Sequence, residues 1–139
     1  DPPMQQRGLR MLRWLLHTDS AGGLYSPAPA GGWAVGEPRP AFDQQPIEAW
    51  TMADAARCAL EVTGDPEWRA GIHIAAAWFA GDNDAGQMMW DPHTGRAFDG
   101  LHADGVNRNQ GAESALALIA TLIDLEWEER WSYRRRLSS

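Results

Sequence analysis

The sequence predicts an all-α protein built as an array of helical hairpins, with one small β-hairpin in the loop 81–111. Apolar residues recur every three or four positions in four separate segments, which is the period of an α-helix. The second and third segments are joined only by Thr63-Gly64-Asp65-Pro66, a helix stop followed by a helix start. Longer connections, rich in glycine, proline and polar residues, separate the other segments.

A leucine stripe predicts the first helix over residues 4–18. Its members recur at helical spacing and are Leu9, Leu12, Leu15 and Leu16. Arginines at positions 7, 10 and 13 occupy the other side. A basic amphipathic helix can lie on a membrane surface, but a solvated face above a packed one is the more common arrangement, and we expect it here.

Residues 20–46 form a long loop, because five prolines and several glycines interrupt any period. A loop of this length is uncommon in a compact domain and is often functional. A linker, or a segment ordered only by a neighbour outside the chain, explains the composition equally well.

Residues 46–63 predict a second helix that is apolar on nearly every face, which is typical of a helix buried on all sides. Pro46 suits its first turn and Glu48 its positive end. Asp54 and Arg57 inside such a helix need charged partners, either each other or a neighbouring helix. Cys58 lies among alanines and is expected to be buried and unreactive.

The third helix is predicted over residues 66–80 and pairs with the second as a helical hairpin. The small β-hairpin is predicted from Met88-Met89-Trp90 and Arg96-Ala97-Phe98, which flank a turn at residues 91–95. A fourth, strongly apolar helix is predicted over residues 112–130. We expect residues 131–139 to be a frayed tail.

Composition limits the classes of function. The formal net charge of -7 disfavours binding to nucleic acid. The lack of lysine excludes a lysine-containing phosphate loop, and a single cysteine excludes an internal disulfide and a multi-cysteine zinc site. The histidines have no metal-ligand spacing, so we expect neither a metal nor a cofactor. No apolar run is long enough for a membrane helix and no signal peptide opens the chain, so we expect a cytoplasmic protein without membrane contact.

Polar residues are concentrated at the predicted helix ends, which an array of hairpins can bring to one rim. Four carboxylates there are candidate catalytic groups, namely Asp43, Glu113, Asp84 and Asp99, with Asp43 and Glu113 as the first pair. Candidate sugar-binding residues are Gln45, Glu48, Trp50, Asp82, Trp90, Asn107 and Asn109. Sugar hydroxyls need donors and acceptors, apolar sugar faces need aromatic surfaces, and glycoside chemistry uses two carboxyl groups. The alternative is local: Asp43 and Glu113 cap helices, while Asn107 and Asn109 close a turn.

Several motifs occur in one order across residues 42–122 and resemble the C-terminal part of six-hairpin glycosidase-like domains found with bacterial group 1 glycosyltransferases. They include Phe42-Asp43-Gln44-Gln45-Pro46-Ile47-Glu48-Ala49, Trp78-Phe79-Ala80-Gly81-Asp82-Asn83-Asp84, Asp99-Gly100-Leu101 and Gly105-Val106-Asn107-Arg108-Asn109-Gln110-Gly111-Ala112-Glu113-Ser114. The resemblance implies an (α/α)6 toroid that binds or processes glycans on its acidic rim.

The length of 139 residues fits one domain, but a full toroid needs about a dozen helices and this chain supplies about four. Residues 1–139 are therefore a single domain or a fragment of a larger toroid, to be completed by more chain or by another copy. Three functions stay open at this point: a glycan-active segment, a non-catalytic scaffold or oligomerisation module of a glycosyltransferase system, and a remnant without activity. The expected partners are accordingly a saccharide, the rest of a toroid, a glycosyltransferase domain or a second copy.

Overall fold

The computed structural model describes residues 1–34 and 36–137. The fold is mainly helical and contains one two-stranded antiparallel sheet, which confirms the predicted class. The helices are α1 (Pro2–Asp19), α2 (Pro46–Thr63), α3 (Glu67–Phe79) and α4 (Ala112–Leu137). The strands are β1 (Gly100–His102) and β2 (Gly105–Asn107).

Helix α2 is central, because it packs on both α3 and α4. Small side chains at its contacts allow close approach, and Ala53 and Ala56 are completely buried. Gly71 of α3 lies so near that a Cβ atom at this position would be 2.9 Å from the Cβ atom of Ala56. The spacing between α2 and α3 therefore depends on the absence of a side chain at Gly71.

Aromatic side chains of α3 fill the centre of the core. Trp68 and Trp78 are completely buried, and Phe79 is 1% exposed. The rings of Trp78 and Phe79 meet edge to face at a centroid distance of 5.1 Å, an arrangement that aromatic pairs prefer. Trp78 therefore belongs to the core and not to an exposed edge of the molecule.

The predicted end of α2 is confirmed, and α3 starts one residue later than predicted. Gly64 has a φ of 68° and its N–H donates to the carbonyl of Leu60 at 2.8 Å, which ends α2. The N-cap of α3 is Pro66, and the carboxylate of the preceding Asp65 accepts the N–H of Glu67, the first residue of the helix, at 3.1 Å. Helix α3 begins at Glu67 rather than at residue 66.

The charged pair inside α2 has the partners that the sequence requires. Arg57 binds Asp54 at 2.9 Å and reaches Asp124 of α4 at 2.8 Å. Burial raises the pKa of Asp124, while the charge and hydrogen bond of Arg57 oppose that shift. The expectation that α2 is covered on every side is wrong, because Val62 is 59% exposed and Cys58 is exposed as well. Cys58 is therefore not the buried residue that its alanine neighbours predicted.

Helix α4 also exposes an apolar stripe rather than being covered all round. Its members are Leu116, Ile119, Leu122 and Ile123, which are 45–64% exposed. The helix continues to Leu137 instead of ending at residue 130, so the expectation of a frayed tail is wrong for residues 131–137, and residues 138–139 lie outside the described residues. Trp127 and Trp131 stack at 6.0 Å across one turn of this extension.

The β-hairpin lies within residues 81–111 but not where it was predicted. Residues 88–98 form only an isolated bridge, between Trp90 and Ala97. The paired strands are β1 and β2, in which Leu101 faces Val106 across the ladder. Strand β1 has a second neighbour in Gln44. Because β1 is paired on both sides, the hairpin forms at residues 100–107 instead of at residues 88–98.

The loop 20–45 has no helix or paired strand in its described part, apart from the bridge at Gln44. It nevertheless packs on the helices, since Tyr25 is 2% exposed. Arg39 holds it in place by donating to the carbonyls of Thr18 and Ser26 and by pairing with Asp19 at 2.7 Å. Among the described residues, no helix is both long enough and apolar enough to cross a bilayer.

Candidate functional site

Three segments that are distant in the chain meet around Gln44, just before α2. The Gln44 backbone exchanges two hydrogen bonds with Leu101 of β1, at 3.0 and 2.9 Å. This exchange places the end of the loop 20–45 beside the β-hairpin. The same residue contacts the segment after α3 through its side chain.

The Gln44 side chain is completely buried and its amide is fully used. Its Oε1 accepts the indole N–H of Trp78 at 2.7 Å. Its Nε2 donates to the carbonyl of Ala41 at 2.7 Å and to the carboxylate of Asp84. A buried amide that loses its partners costs free energy, so movement of any of these segments away from Gln44 is unfavourable. The bonds of Gln44 therefore fix the three segments relative to one another.

Asn83 shapes the turn that carries Asp84. Its Nδ2 donates to the carbonyls of Trp78 at 2.8 Å and Gln87 at 2.7 Å. Its Oδ1 accepts the N–H groups of Ala85 and Gln87 at 3.3 and 3.1 Å. Asn83 is 4% exposed, so the turn is built around a buried amide in the manner of an Asx turn.

These segments enclose an open cleft of about 520 Å³, which we call the loop cleft. Its lining combines an aromatic ring, two carboxylates, an amide and a guanidinium: Phe42, Asp84, Ala85, Gln87, Ala103, Asp104, Gly105, Val106 and Arg108. The volume lies within the range of small-molecule sites. The Asp104 carboxylate has no hydrogen-bond or ion-pair partner among the described residues, so it is available to a ligand.

Two of the predicted catalytic carboxylates lie at this cleft or beside it. Asp84 lines the cleft and is exposed. Asp43 follows Phe42 of the lining, but its Oδ1 is 2.6 Å from Nδ1 of His102 on β1. The Asp43 carboxylate is therefore engaged with an imidazole rather than with the N-terminus of α2.

The other two predicted catalytic carboxylates lie at the start of α4. Asp99 accepts the N–H of Gly111 and the hydroxyl of Ser114, each at 2.6 Å, which satisfies donors at the start of the helix. Glu113 is exposed in the first turn of α4. Neither residue lines the loop cleft. The structure thus gives Asp99 a capping role and leaves Glu113 apart from Asp84.

Among the predicted binding residues, Gln45 and Glu48 begin α2. The Glu48 carboxylate accepts the N–H of Gln45 at 3.2 Å, as one half of a capping box. Burial raises the pKa of Glu48, although this hydrogen bond acts in the opposite direction. Glu48 lines a separate, smaller cleft of about 280 Å³ together with Asp19 and Tyr25.

In that smaller cleft, burial also raises the pKa of Asp19, and the hydrogen bond and charge of Arg39 oppose the shift. The Tyr25 hydroxyl donates to the backbone carbonyl of Glu48 at 3.0 Å. Asp19 is 5% exposed and paired with Arg39, so it is occupied within the protein. The loop cleft is the better candidate because its Asp104 has no such partner.

The remaining predicted binding residues are dispersed. Trp50 and Trp90 are partly buried and pack on the core, and Asp82 is exposed after α3. The Oδ1 of Asn107 accepts the N–H of Asn109 at 3.1 Å, which is the turn-closing role that was the alternative to sugar binding. None of these residues lines the loop cleft.

Sequence reasoning missed four polar or aromatic residues of the cleft, namely Phe42, Gln87, Asp104 and Arg108. One available signal was the pair Asp104-Gly105, because Asp-Gly is common at hairpin turns. The hairpin has a two-residue loop, Ala103 and Asp104, followed by Gly105 with a φ of 132°. Among the described residues, no cluster of three or more histidine, cysteine or carboxylate groups could hold a metal ion.

No protein-family model matches the chain, and neither does any curated protein.

Proposed function

We propose that the loop cleft binds a saccharide and that the chain is a glycan-active segment of a six-hairpin glycosidase-like domain. The observation that carries this proposal is the convergence of Asp84 and Asp104, from two separate loops, on one open cleft of about 520 Å³. The resemblance of residues 42–122 to such domains supports the same conclusion.

The lining of the cleft suits a sugar chemically. Asp84 and Asp104 offer acceptors, and Gln87 and Arg108 offer donors, to neighbouring hydroxyl groups. Phe42 provides an apolar surface of the kind on which a sugar ring can lie. The guanidinium of Arg108 lies 5.5 Å from the centre of the Phe98 ring, which orients a charged donor at the rim.

If the segment also processes glycosides, the two carboxyl groups of this cleft have the required chemistry. One carboxyl must protonate the leaving oxygen while the other acts as base or nucleophile. Asp84 accepts a hydrogen bond from the buried Gln44 amide, which holds one of its oxygens in place at the cleft. Asp84 is therefore our candidate for the base or nucleophile and Asp104 for the acid. Asp43 and Glu113 stay a prediction from the sequence alone.

The proposal is tested by titrating the 15N-labelled chain with a panel of neutral oligosaccharides, followed by Asp84→Asn and Asp104→Asn. We expect each substitution to weaken binding by about tenfold, since each removes one charged acceptor. Asp82→Asn is the matched control, because Asp82 is exposed two positions before Asp84 and does not line the cleft. Binding that both cleft variants retain at full strength would contradict the proposal.

A second candidate function is favoured by the exposed stripe on α4. Four large aliphatic residues are about half exposed there, and a patch of this kind marks an interaction surface. The chain would then be a non-catalytic scaffold or oligomerisation module of a glycosyltransferase system. In that case Ile119→Glu should abolish assembly, whereas Asp84→Asn and Asp104→Asn should leave it unchanged.

The toroid and the cytoplasmic location also belong to this proposal. The hairpin of α2 and α3, with α4 packed on α2, is the kind of unit that repeats in an α/α toroid. Further hairpins on the exposed side of α4 would extend it. The exposed thiol of Cys58 suits a reducing compartment, since an exposed cysteine oxidises readily elsewhere.

A further inference from the structure

Two exposed apolar faces lie on the first and last helices, and their flanking charges are opposite. The α1 face consists of Met4, Arg7, Arg10, Met11 and Trp14, whose apolar members are 65–70% exposed. The α4 face consists of Leu116, Ile119, Leu122 and Ile123, followed by Glu126 and Glu129. Each face combines apolar and charged side chains, and neither is covered by other described residues.

The α1 face is exposed, whereas the other side of α1 is anchored to α2, to the turn between α2 and α3, and to the first residue of α3. Leu16 is buried in the core, Arg13 pairs with Asp65 at 3.0 Å, and His17 pairs with Glu67 at 2.6 Å. Arg7 and Arg10 have no ion-pair partner among the described residues. With Met11 and Trp14 they line a shallow hollow of about 290 Å³, which can receive aliphatic side chains.

The α4 face offers aliphatic side chains for that hollow and carboxylates for its arginines. Leu116, Ile119 and Ile123 recur along one side of the helix at spacings of three and four residues. Glu129 has no ion-pair partner among the described residues, and Glu126 pairs only with the exposed Arg130 of its own helix. The α1 face therefore contains two arginines without an ion-pair partner among the described residues, and the α4 face continues into two carboxylates, of which Glu126 already pairs with Arg130.

We propose that the chain associates head to tail, with the α1 face of one copy bound to the α4 face of the next. Burial of the apolar side chains drives the association, and the opposite charges select the orientation and oppose contact between two α1 faces. Because the two surfaces differ, a dimer keeps one free face of each kind and can bind further copies into a ring or a filament.

The inference rests on the scaffold candidate, for which it names the partner, and not on saccharide binding. The two faces contain no residue of the loop cleft. Sedimentation velocity on the wild-type chain should show an average mass that rises with protein concentration. The rise should be weaker at high salt, because exposed charges are screened.

Two substitutions block the two faces separately. Ile119→Glu blocks the α4 face and Met11→Glu blocks the α1 face, and each should leave the protein monomeric with an unchanged circular dichroism spectrum. Val62→Glu is the matched control, because Val62 of α2 is 59% exposed and lies outside both faces. This variant should still associate.

Mixing the two blocked variants gives the decisive measurement. The Ile119→Glu chain retains an intact α1 face, and the Met11→Glu chain retains an intact α4 face. The mixture should therefore form a dimer with one chain of each variant, and the dimer should not grow further. Association of Met11→Glu alone at wild-type strength would overturn the inference in favour of a symmetric contact between α4 faces.

A monomeric wild type would also overturn the inference. Peptide binding by the monomer then tests the scaffold candidate. Binding of a synthetic amphipathic peptide of leucine and arginine, lost in Ile119→Glu, would leave the scaffold candidate standing with another partner. If the chain neither associates nor binds the peptide, both the head-to-tail inference and the scaffold candidate are contradicted. Flotation of the monomer with anionic vesicles, lost in Met11→Glu, would assign the α1 face to a membrane surface and overturn self-association.

Discussion

The indole Nε1 of Trp78 donates a hydrogen bond of 2.7 Å to Oε1 of Gln44, and both side chains are completely buried. This contact joins the last turn of α3 to the residue that pairs with β1 and bonds to Asp84. The loop cleft is therefore connected directly to the core, and its geometry depends on one amide.

Replacement of Gln44 by Met should destabilise the protein by about 2–3 kcal/mol, because the buried donor of Trp78 then lacks an acceptor. The same change removes the hydrogen bond to Asp84 and should weaken saccharide binding. Urea unfolding measures the loss in stability. Gln45→Met is the control, since Gln45 is only partly buried and its side chain belongs to the capping box of α2 without contacting Trp78 or Asp84, so its loss should cost less. Equal stability of the two variants would contradict the role assigned to Gln44.

The contact between Gly71 and Ala56 predicts opposite effects of the same substitution at two glycines. Gly71→Ala should cost about 1–3 kcal/mol, because the new methyl group would lie 2.9 Å from a Cβ atom fixed on α2. Gly8→Ala in α1 meets no atom within 4 Å and should stabilise the helix by up to about 1 kcal/mol. Thermal denaturation of both variants checks the prediction, and stabilisation by Gly71→Ala would show that α2 and α3 are not packed this closely.

The ion pair between Arg57 and Asp124 predicts a strong dependence of stability on both partners. Asp124 is 6% exposed, so Arg57→Met leaves a buried carboxylate unpaired and should destabilise the protein by about 2–4 kcal/mol. The double variant Arg57→Met/Asp124→Leu should recover most of that loss, because no charge then stays buried. Chemical unfolding of the single and double variants measures the coupling, and purely additive losses would contradict it.

The raised pKa of Glu48 predicts how stability depends on pH. The folded protein binds this proton more tightly than the unfolded chain, so stability falls as pH rises from the ordinary glutamate pKa through the raised value. Glu48→Gln lacks this loss, and its amide oxygen can still accept the N–H of Gln45. The variant should be as stable as the wild type at low pH and more stable than the wild type above this pH window.

Unfolding free energies measured across the acid range test this, with Glu113→Gln, exposed on α4, as the control. A constant difference between wild type and Glu48→Gln at every pH would show that burial of Glu48 does not penalise its charge.

The helices could be predicted from the sequence because their signals are local. Pro46 and Gly64 bound α2 at the predicted residues, since proline suits a first turn and glycine the left-handed C-cap. The extension of α4 could not be predicted in this way. Within it, the hydroxyl of Ser132 donates to the carboxylate of Glu128, which also lies 3.0 Å from Nε2 of His73 on α3.

Exposure was harder to predict than helix formation. The apolar composition of α2 and α4 indicated burial on every side, but burial requires neighbours, and a composition does not say how many are present. Cys58 and Ile119 are exposed for this reason. The β-hairpin was misplaced because the turn at residues 91–95 has a strong local signal, whereas β1 gains its pairing from the distant Gln44.

The candidate site could be predicted only in outline. Acidic residues at the helix ends indicated the region, and Asp84 was among them. The choice between Gln44 and Gln45 depends on which of two adjacent amides faces Trp78, and this is decided by tertiary contacts rather than by residue type. Asp104 was missed because its role depends on the position of the hairpin.

The most direct test of the central claim is the location of chemical-shift changes when the 15N-labelled chain is titrated with an oligosaccharide. We expect a saturable response confined to the amides of the loop cleft, above all Ala85, Gln87, Asp104 and Val106, and reduced in Asp104→Asn. A saturable response located at the smaller cleft around Glu48 and Tyr25, with the loop-cleft amides unchanged, would contradict the assignment of the loop cleft as the saccharide site.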